Sequence, residues 1–506
     1  VGSHFTREGF GIDLQAFRSG SVITIENTSA SSGSVTLNGS ASGGATSLYG
    51  IRLSNNNVLS ASGAINFNVA SGTLEASASY TLNVGRAAGT DVTASTSPIT
   101  LTANALNFAG TSNLSTSGTV TVQPYGNNFS SAVSWPLTNL NLASSVSGLT
   151  IGKDIGSTAH TDTVTMGGTT SIAGPINVYA GTINVNANLN TSGGGANGDI
   201  LFKASGGITH ASGVTVTTNG GDVTYWADSD GANGGYVWFK PGSSVSTTTA
   251  ANILVSGGNV ADAAALASTG YASGMTTTIG NGVTLDAVSL YSFGGNITIR
   301  GKSAATYTQY VSTDGATSTN ANGIRAHGNV NVDTGAGKLS MWGYGQSSTG
   351  ASNGIELSML SSSTSVYKSS SSAADAITMV GTAANSAASN SWGVYLWDYS
   401  SVLASNGGGI SITGSAAIHS AVAVPAGAVV LSTGGPITLT GTGYGSSGNA
   451  VDVAGYVGLK AGVNTGASTS DITIVGDKFS LTGNVASSGK LTLKPYTTGA
   501  TIGVGS

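Results

Sequence analysis

The chain of 506 residues contains no cysteine. That absence removes disulfide staples, thiolate metal sites and cysteine nucleophiles together. It also suits a long exported chain, which has no thiols to cross-link wrongly in an oxidising compartment. Charge is almost as scarce: Asp, Glu, Lys and Arg make up 7% of the residues, the net charge is −5, and the cations are scattered singly. Nucleic acid is held by clustered Lys and Arg that displace counterions, so that class of partner is excluded. No apolar run approaches the roughly 20 residues of a membrane-spanning helix. The opening residues VGSHFTREGF hold no apolar signal core, which places any export signal outside this stretch.

In place of these stands glycine, 77 residues, with Ser, Thr, Asn and Ala filling most of the remainder. Such a composition on its own would suit disorder. Against that, 39% of the residues are hydrophobic, and Ile, Val and Leu keep a period of two. VITIEN (22–27), SVTLNG (34–39), GIRLSN (50–55) and AINFNV (64–69) each alternate apolar and polar between Gly, Ser or Asn turns. Those are strands with one buried face. The best helical candidate, the Ala-rich run 260–268, is short.

A larger module repeats. A strand ending in Gly leads through a polar insert to a second strand opening Gly-Ile or similar. SVTLNG leads to GIRL (50–53), NITIRG (296–301) to GIRA (323–326), and KLSMWG (338–343) to GIEL (354–357). AITMVG (376–381) leads to GVYL (393–396), and PITLTG (436–441) to AVDV (450–453). A third apolar pair follows, as at Val58-Leu59 and Val402-Leu403. On the largest scale, 97–125 (SPITLTANALNFAGTSNLSTSGTVTVQPY) returns at 470–496 as SDITIVGDKFSLTGNVASSGKLTLKPY. Three strands per cycle, with inserts of unequal length, describe a triangular coil whose extra residues loop out at one corner. The expected fold is all-β: a right-handed parallel β-helix (β-solenoid) with roughly triangular coils, loop and hairpin inserts, and about 20–30 residues per coil, a rod on the order of 100 Å long. The expected organisation is one continuous solenoid over 1–506, a segment of a larger repetitive protein. Coils should be tight over about 100–215 and carry longer, aromatic-bearing inserts over about 216–400. Asn177, Asn184, Asn186, Asn188 and Asn190 alternate within one tight stretch. They read either as a stacked amide ladder or as solvated turn formers.

PITLTG/GISITG units, SGLTIGKD (147–154), SIAGPINVYAGTINVNANL (171–189) and LTLKPYTTGATIGVGS (491–506) resemble the repeat region of filamentous-haemagglutinin-type exoproteins. The resemblance implies a β-helical shaft of a bacterial surface adhesin, extracellular and exported by two-partner secretion. The NPNG-type motif of that family's secretion domain does not occur in the chain. Its work would be structural: spanning distance from the cell surface, presenting loops, meeting a surface glycan or cell receptor, and associating with copies of itself into fibres or biofilm. No enzyme activity and no cofactor are expected.

The alternative is a carbohydrate-binding or carbohydrate-cleaving β-helix, since that fold also hosts polysaccharide-active enzymes. Cleavage needs convergent carboxylates, and Asp228 and Asp230 are the closest pair. They lie in TYWADSDGANGGYVWFKPG (224–242) among Tyr225, Trp226, Tyr236, Trp238 and Phe239. In a strand they would share a face, making a sugar-stacking surface with paired carboxylates. The competing reading is a turn between two aromatic strands that form a lateral hairpin over the core. The same loop offers oxygen ligands for Ca²⁺ but lacks the closing Glu of a calcium loop. A second group, SWGVYLWDYSS (391–401), would set Tyr395, Trp397 and Tyr399 in an outward row if Val394 and Leu396 point inward. Such a row is a contact surface for a glycan or another chain, unless an adjoining insert such as 361–372 covers it. The five histidines lie far apart with no HxxxH spacing, so no metal set is assigned.

Overall fold

The computed structural model describes residues 8–15, 22–27, 33–42, 47–85, 96–232, 234–276, 279–306, 310–311, 317–318, 321–348, 350–357, 365–384, 391–397, 399–444, 447–458 and 470–501. The chain divides into two compact units, Val1–Lys203 and Ala204–Ser506. Each is a parallel β-solenoid.

In the second unit every coil contributes one strand to each of three faces. The first face stacks Val223–Ala227, Ile253–Gly257, Ile297–Lys302, Leu339–Gly345, Ile377–Ala383, Ile410–Ala416, Ile437–Gly441, Ile472–Val475 and Leu491–Lys494. The second face runs from Ile208–His210 through Ile355–Leu357 and Val394–Leu396 to Phe479–Leu481. The third runs from Thr215–Thr217 to Asn484–Val485. In the first unit, Ile65–Ala76 and Ile99–Phe108 cross two faces in one strand: 65–69 lies on Val35–Gly39 and 73–76 on Tyr49–Leu53. Among the described pairings the one antiparallel pair is Tyr310–Val311 with Thr317–Ser318, a small hairpin within an insert.

Alternation supplies the core. Ile297, Leu339, Ile377, Ile410, Ile437 and Ile472 stand over one another in register and are buried, as are Val283, Ile324, Ile355, Val394, Val422 and Val451 on the second face. Burying each such side chain stabilises the fold by about 1.5–3 kcal/mol. The outward neighbours are polar: Thr298, Ser340, Thr378, Ser411, Thr438, Thr473 and Thr492 form one column.

The Gly…Gly module has a steric cause. Gly301, Gly343, Gly381, Gly414 and Gly441 are vertical partners at the end of the first face. A Cβ on Gly381 would lie 2.0 Å from the carbonyl oxygen of Gly393, and one on Gly343 would lie 1.9 Å from that of Gly354. The residue closing one strand therefore packs directly on the residue opening the next, and only hydrogen fits between them.

Buried amides bind the same corner from coil to coil. Asn281 Oδ1 accepts from the Asn322 backbone N–H at 2.8 Å, Asn322 Oδ1 from that of Asn353 at 2.9 Å, and Asn353 Oδ1 from that of Trp392 at 2.9 Å. Side-chain ladders also run up the first unit, with Asn113 donating to Asn83 and Asn141 to Asn113, both at 2.9 Å. The stretch 177–190 is open to either reading from its sequence. There Asn184 reaches Thr165 Oγ1, and Asn190 turns back to the Ser192 N–H.

Coil length is also corrected. Ile472 pairs with Leu491, 19 residues on, but Ile253 pairs with Ile297, 44 residues on. Inserts in the second unit lengthen coils beyond 20–30 residues, and the one that carries the Ala-rich run interrupts the first face itself, so that Ile297–Lys302 pairs first with 253–255 and then with Ala272–Ser273. The returning repeat is one tight coil in each place: Ile99 pairs with Val120, and Ile472 with Leu491. The Ala-rich run is a helix, α1 (Ala263–Ser268), capped by Asp262 Oδ1 accepting from the Ala265 N–H at 2.9 Å. Leu266 buries the helix against Trp226 and Leu254.

Two outcomes follow for stability. Gly381→Ala must push the corner apart and should cost about 1–3 kcal/mol in urea unfolding, with the secondary structure retained by circular dichroism. His210 lies in the core of the second unit, its ring nitrogens facing Tyr225 Oη at 2.9 Å and the Val214 carbonyl at 3.0 Å. Burial pulls its pKa down to about 4. The folded state therefore holds it neutral, while the unfolded chain takes up a proton below about pH 6.5. Its stabilising contribution is complete above that pH and is lost as pH falls towards 4, by about 3 kcal/mol. Unfolding free energies measured from pH 7.5 to 4.5 should fall more steeply for the parent than for His210→Gln.

Candidate functional site

The outward positions of the second face carry the site. Glu356, Tyr395, Ala423 and Asp452 are successive register partners, one per coil. Val394 and Leu396 are fully buried, so strand alternation turns Tyr395 outward. Trp392 precedes the corner residue Gly393, and its backbone is pinned by Asn353 at the top of the amide ladder. Its indole stacks on Tyr395 with centroids 4.4 Å apart and planes 12° from parallel, and on His419 at 4.7 Å and 24°. Trp397 meets Tyr395 edge-on at 5.0 Å. Four rings from two coils therefore form one locked aromatic wall. Offset stacking of this kind contributes about 0.5–1.5 kcal/mol per pair beyond area burial.

Ala423 is the short residue between Tyr395 and Asp452, and a groove of about 380 Å³ opens there. Its lining joins Trp392, Tyr395 and His419 to Pro425, Asn449 and Asp452. The Asn449 backbone N–H donates to Ser420 Oγ at 3.1 Å, which fixes the rim. Among the described residues no Lys or Arg lines the groove. Lys478, on the next coil, lies beside the rim, where its ammonium donates to the Gly448 carbonyl at 2.9 Å.

The expected outward row is present in part. Trp397 is 40% exposed and Tyr399 56% exposed. Tyr399 has φ 63°, so alternation ends before it and it is displayed by a turn; Asp398 lies outside the described residues. Of the adjoining insert 361–372, Ser365–Ser369 is a strand of the third face, and 361–364 lie outside the described residues. The sequence missed Trp392 as the centre of the stack and His419, Asn449 and Asp452 as its neighbours. Only coil register brings these together, across 60 residues of chain.

The other candidate group is corrected. Asp228 and Asp230 do not share a strand face, because Asp228 has φ 52° and a turn follows it. Asp228 is buried and its Oδ1 accepts from the Gly234 N–H at 3.2 Å, while Asp230 Oδ1 accepts from the Ala232 N–H at 3.2 Å. Both carboxylates hold the turn itself. The flanking strands are not a hairpin either: Val223–Ala227 belongs to the first face and Val237–Phe239 to the second. Trp226 is 7% exposed beneath α1, its Nε1 donating to the Gly258 carbonyl at 2.8 Å, so it offers no stacking surface. Tyr225 and Phe239 are core residues. Trp238 is half-buried, its Nε1 donating to Asp286 Oδ2 at 2.8 Å with Lys240 Nζ 4.7 Å from the ring centroid. Asn233 of that loop lies outside the described residues. Among the described residues no group of three or more His, Asp or Glu is placed to hold a metal ion, and no helix is long and apolar enough to cross a membrane.

The fold defines the class, a parallel β-solenoid. Comparison with known families, curated proteins and solved structures finds no match to the chain.

The exposures order the six tryptophans for quenching. Trp135 and Trp226 are shielded and Trp397 is open. Trp397→Phe should remove the largest acrylamide-quenchable share of the emission; an unchanged quenching curve would place that ring under cover.

Proposed function

We propose that the chain is a structural shaft: an extracellular solenoid segment of a bacterial surface adhesin or fibre, acting by spanning distance and presenting side loops. The observation that carries this reading is the stacking of parallel strands, coil on coil, within each unit. Every coil rests on its neighbours, so length is added at constant cost and load is shared by backbone hydrogen bonds and by aliphatic columns. Inserts of unequal length, which leave the coils at more than one corner, support presentation, since they vary while the strands on either side keep their pairing. The absence of cysteine and the sparse charge agree with an exported, repetitive surface protein.

The aromatic groove favours a second reading, a solenoid that binds carbohydrate. Neither reading calls for an enzyme or a cofactor. For the shaft, negative-stain images and sedimentation across a concentration series should show association into filaments. A species that stays monomeric throughout, with no filaments on the grid, would remove self-assembly from the proposal.

A further inference from the structure

We infer that the groove between Tyr395 and Asp452 binds a pyranose ring of a neutral oligosaccharide. This gives the second reading above a site and a ligand class, and it does not depend on whether the chain forms filaments.

A pyranose has a flat face of C–H groups and a rim of hydroxyls, and it needs aromatic carbon on one side with hydrogen-bonding groups on the other. The groove supplies both. Trp392, Tyr395 and His419 are held in a near-parallel stack, 4.4 and 4.7 Å between centroids, before any ligand arrives. Rings already fixed lose little rotamer freedom on binding. Ser447, Asn449 and Asp452 bring a hydroxyl, an amide and a carboxylate to the same groove. A carboxylate accepts from two sugar hydroxyls at once, in charge-assisted bonds roughly twice as strong as neutral ones. The volume of about 380 Å³ is at the low end for small-ligand sites, room for roughly one or two rings.

Charge selects among glycans. With Asp452 in the lining and no Lys or Arg there, a sulfate, phosphate or uronate would meet like charge with no cation to pair it. Ala423 is the residue that makes the space, because any longer outward side chain between Tyr395 and Asp452 would fill it.

Calorimetric titration of the whole chain with a panel of neutral hexasaccharides (β-gluco, β-manno, β-galacto and β-xylo series) tests this. Saturable binding is expected for at least one, with Kd on the order of 0.1–1 mM for so open a groove. Trp392→Ala should weaken it tenfold or more, Ala423→Leu should abolish it, and Asp452→Asn should weaken it several-fold. Trp392→Phe, which keeps a ring in the stack, should restore most of the affinity and serves as the folding control with circular dichroism. Trp238→Phe, elsewhere on the second face, should bind like the parent. The inference is overturned by no saturable heat with any neutral sugar, or by equal binding in folded Trp392→Ala. Tighter binding of a sulfated oligosaccharide, or saturation by tetramethylammonium alone, overturns it equally.

Discussion

Everything in the two solenoids depends on how closely the chain passes itself where one face turns into the next. Gly381 and Gly393, Gly343 and Gly354, Gly301 and Gly323 approach to distances that leave no space for a methyl group. Because the contact recurs at one height in each coil, the glycines line up vertically and the strands on either side inherit a common register. The aliphatic columns and the amide ladder of Asn281, Asn322 and Asn353 follow from that register. A coil out of step would set its Ile and Val against turns and leave buried amides without partners, at a cost of about 1–3 kcal/mol for each unsatisfied group.

This constraint separates what is held from what is free. Inward positions and corner glycines are bound by packing, whereas outward positions are free of the core and meet the next coil through chosen side chains, as in the ladder of Asn83, Asn113 and Asn141. That freedom explains how one place on the second face acquires Trp392, Tyr395, Trp397 and His419 while the first-face column from Thr298 to Thr492 carries only Thr and Ser. It also explains the contrast with 224–242, where the aromatics were taken up by the solenoid's own needs. Tyr225 and Phe239 fill the core, and Trp226 anchors α1. An aromatic cluster in the text of a solenoid can serve either end, and the face on which it falls decides which.

The fold was legible because it is written in local rules repeated many times. Alternation at Ile437-Thr438-Leu439-Thr440 states which side is buried, and the Gly that follows states where the face ends. The short helix was legible from its alanines, and the return of 97–125 at 470–496 from self-similarity. The candidate site was only half legible. Tyr395 and Trp397 follow from alternation, but the pairing of Trp392 with His419 crosses coils of unequal length, and no fixed spacing in the chain encodes it. Asp228 and Asp230 misled because alternation holds only inside a strand, and Asp228 sits at positive φ in a turn.

By itself, then, the sequence determined the strand period, the three-strand cycle, the parallel stacking and the absence of thiol chemistry. Those depend on residue type and on neighbours a few positions apart. The tertiary structure alone decided which distant outward residues became neighbours, where Ala423 left a gap, and which tryptophans faced water. The physical reason is that each coil contacts only the coils beside it, while inserts of variable length lie between. Vertical neighbours are fixed by register in space, and distance along the chain carries no record of them.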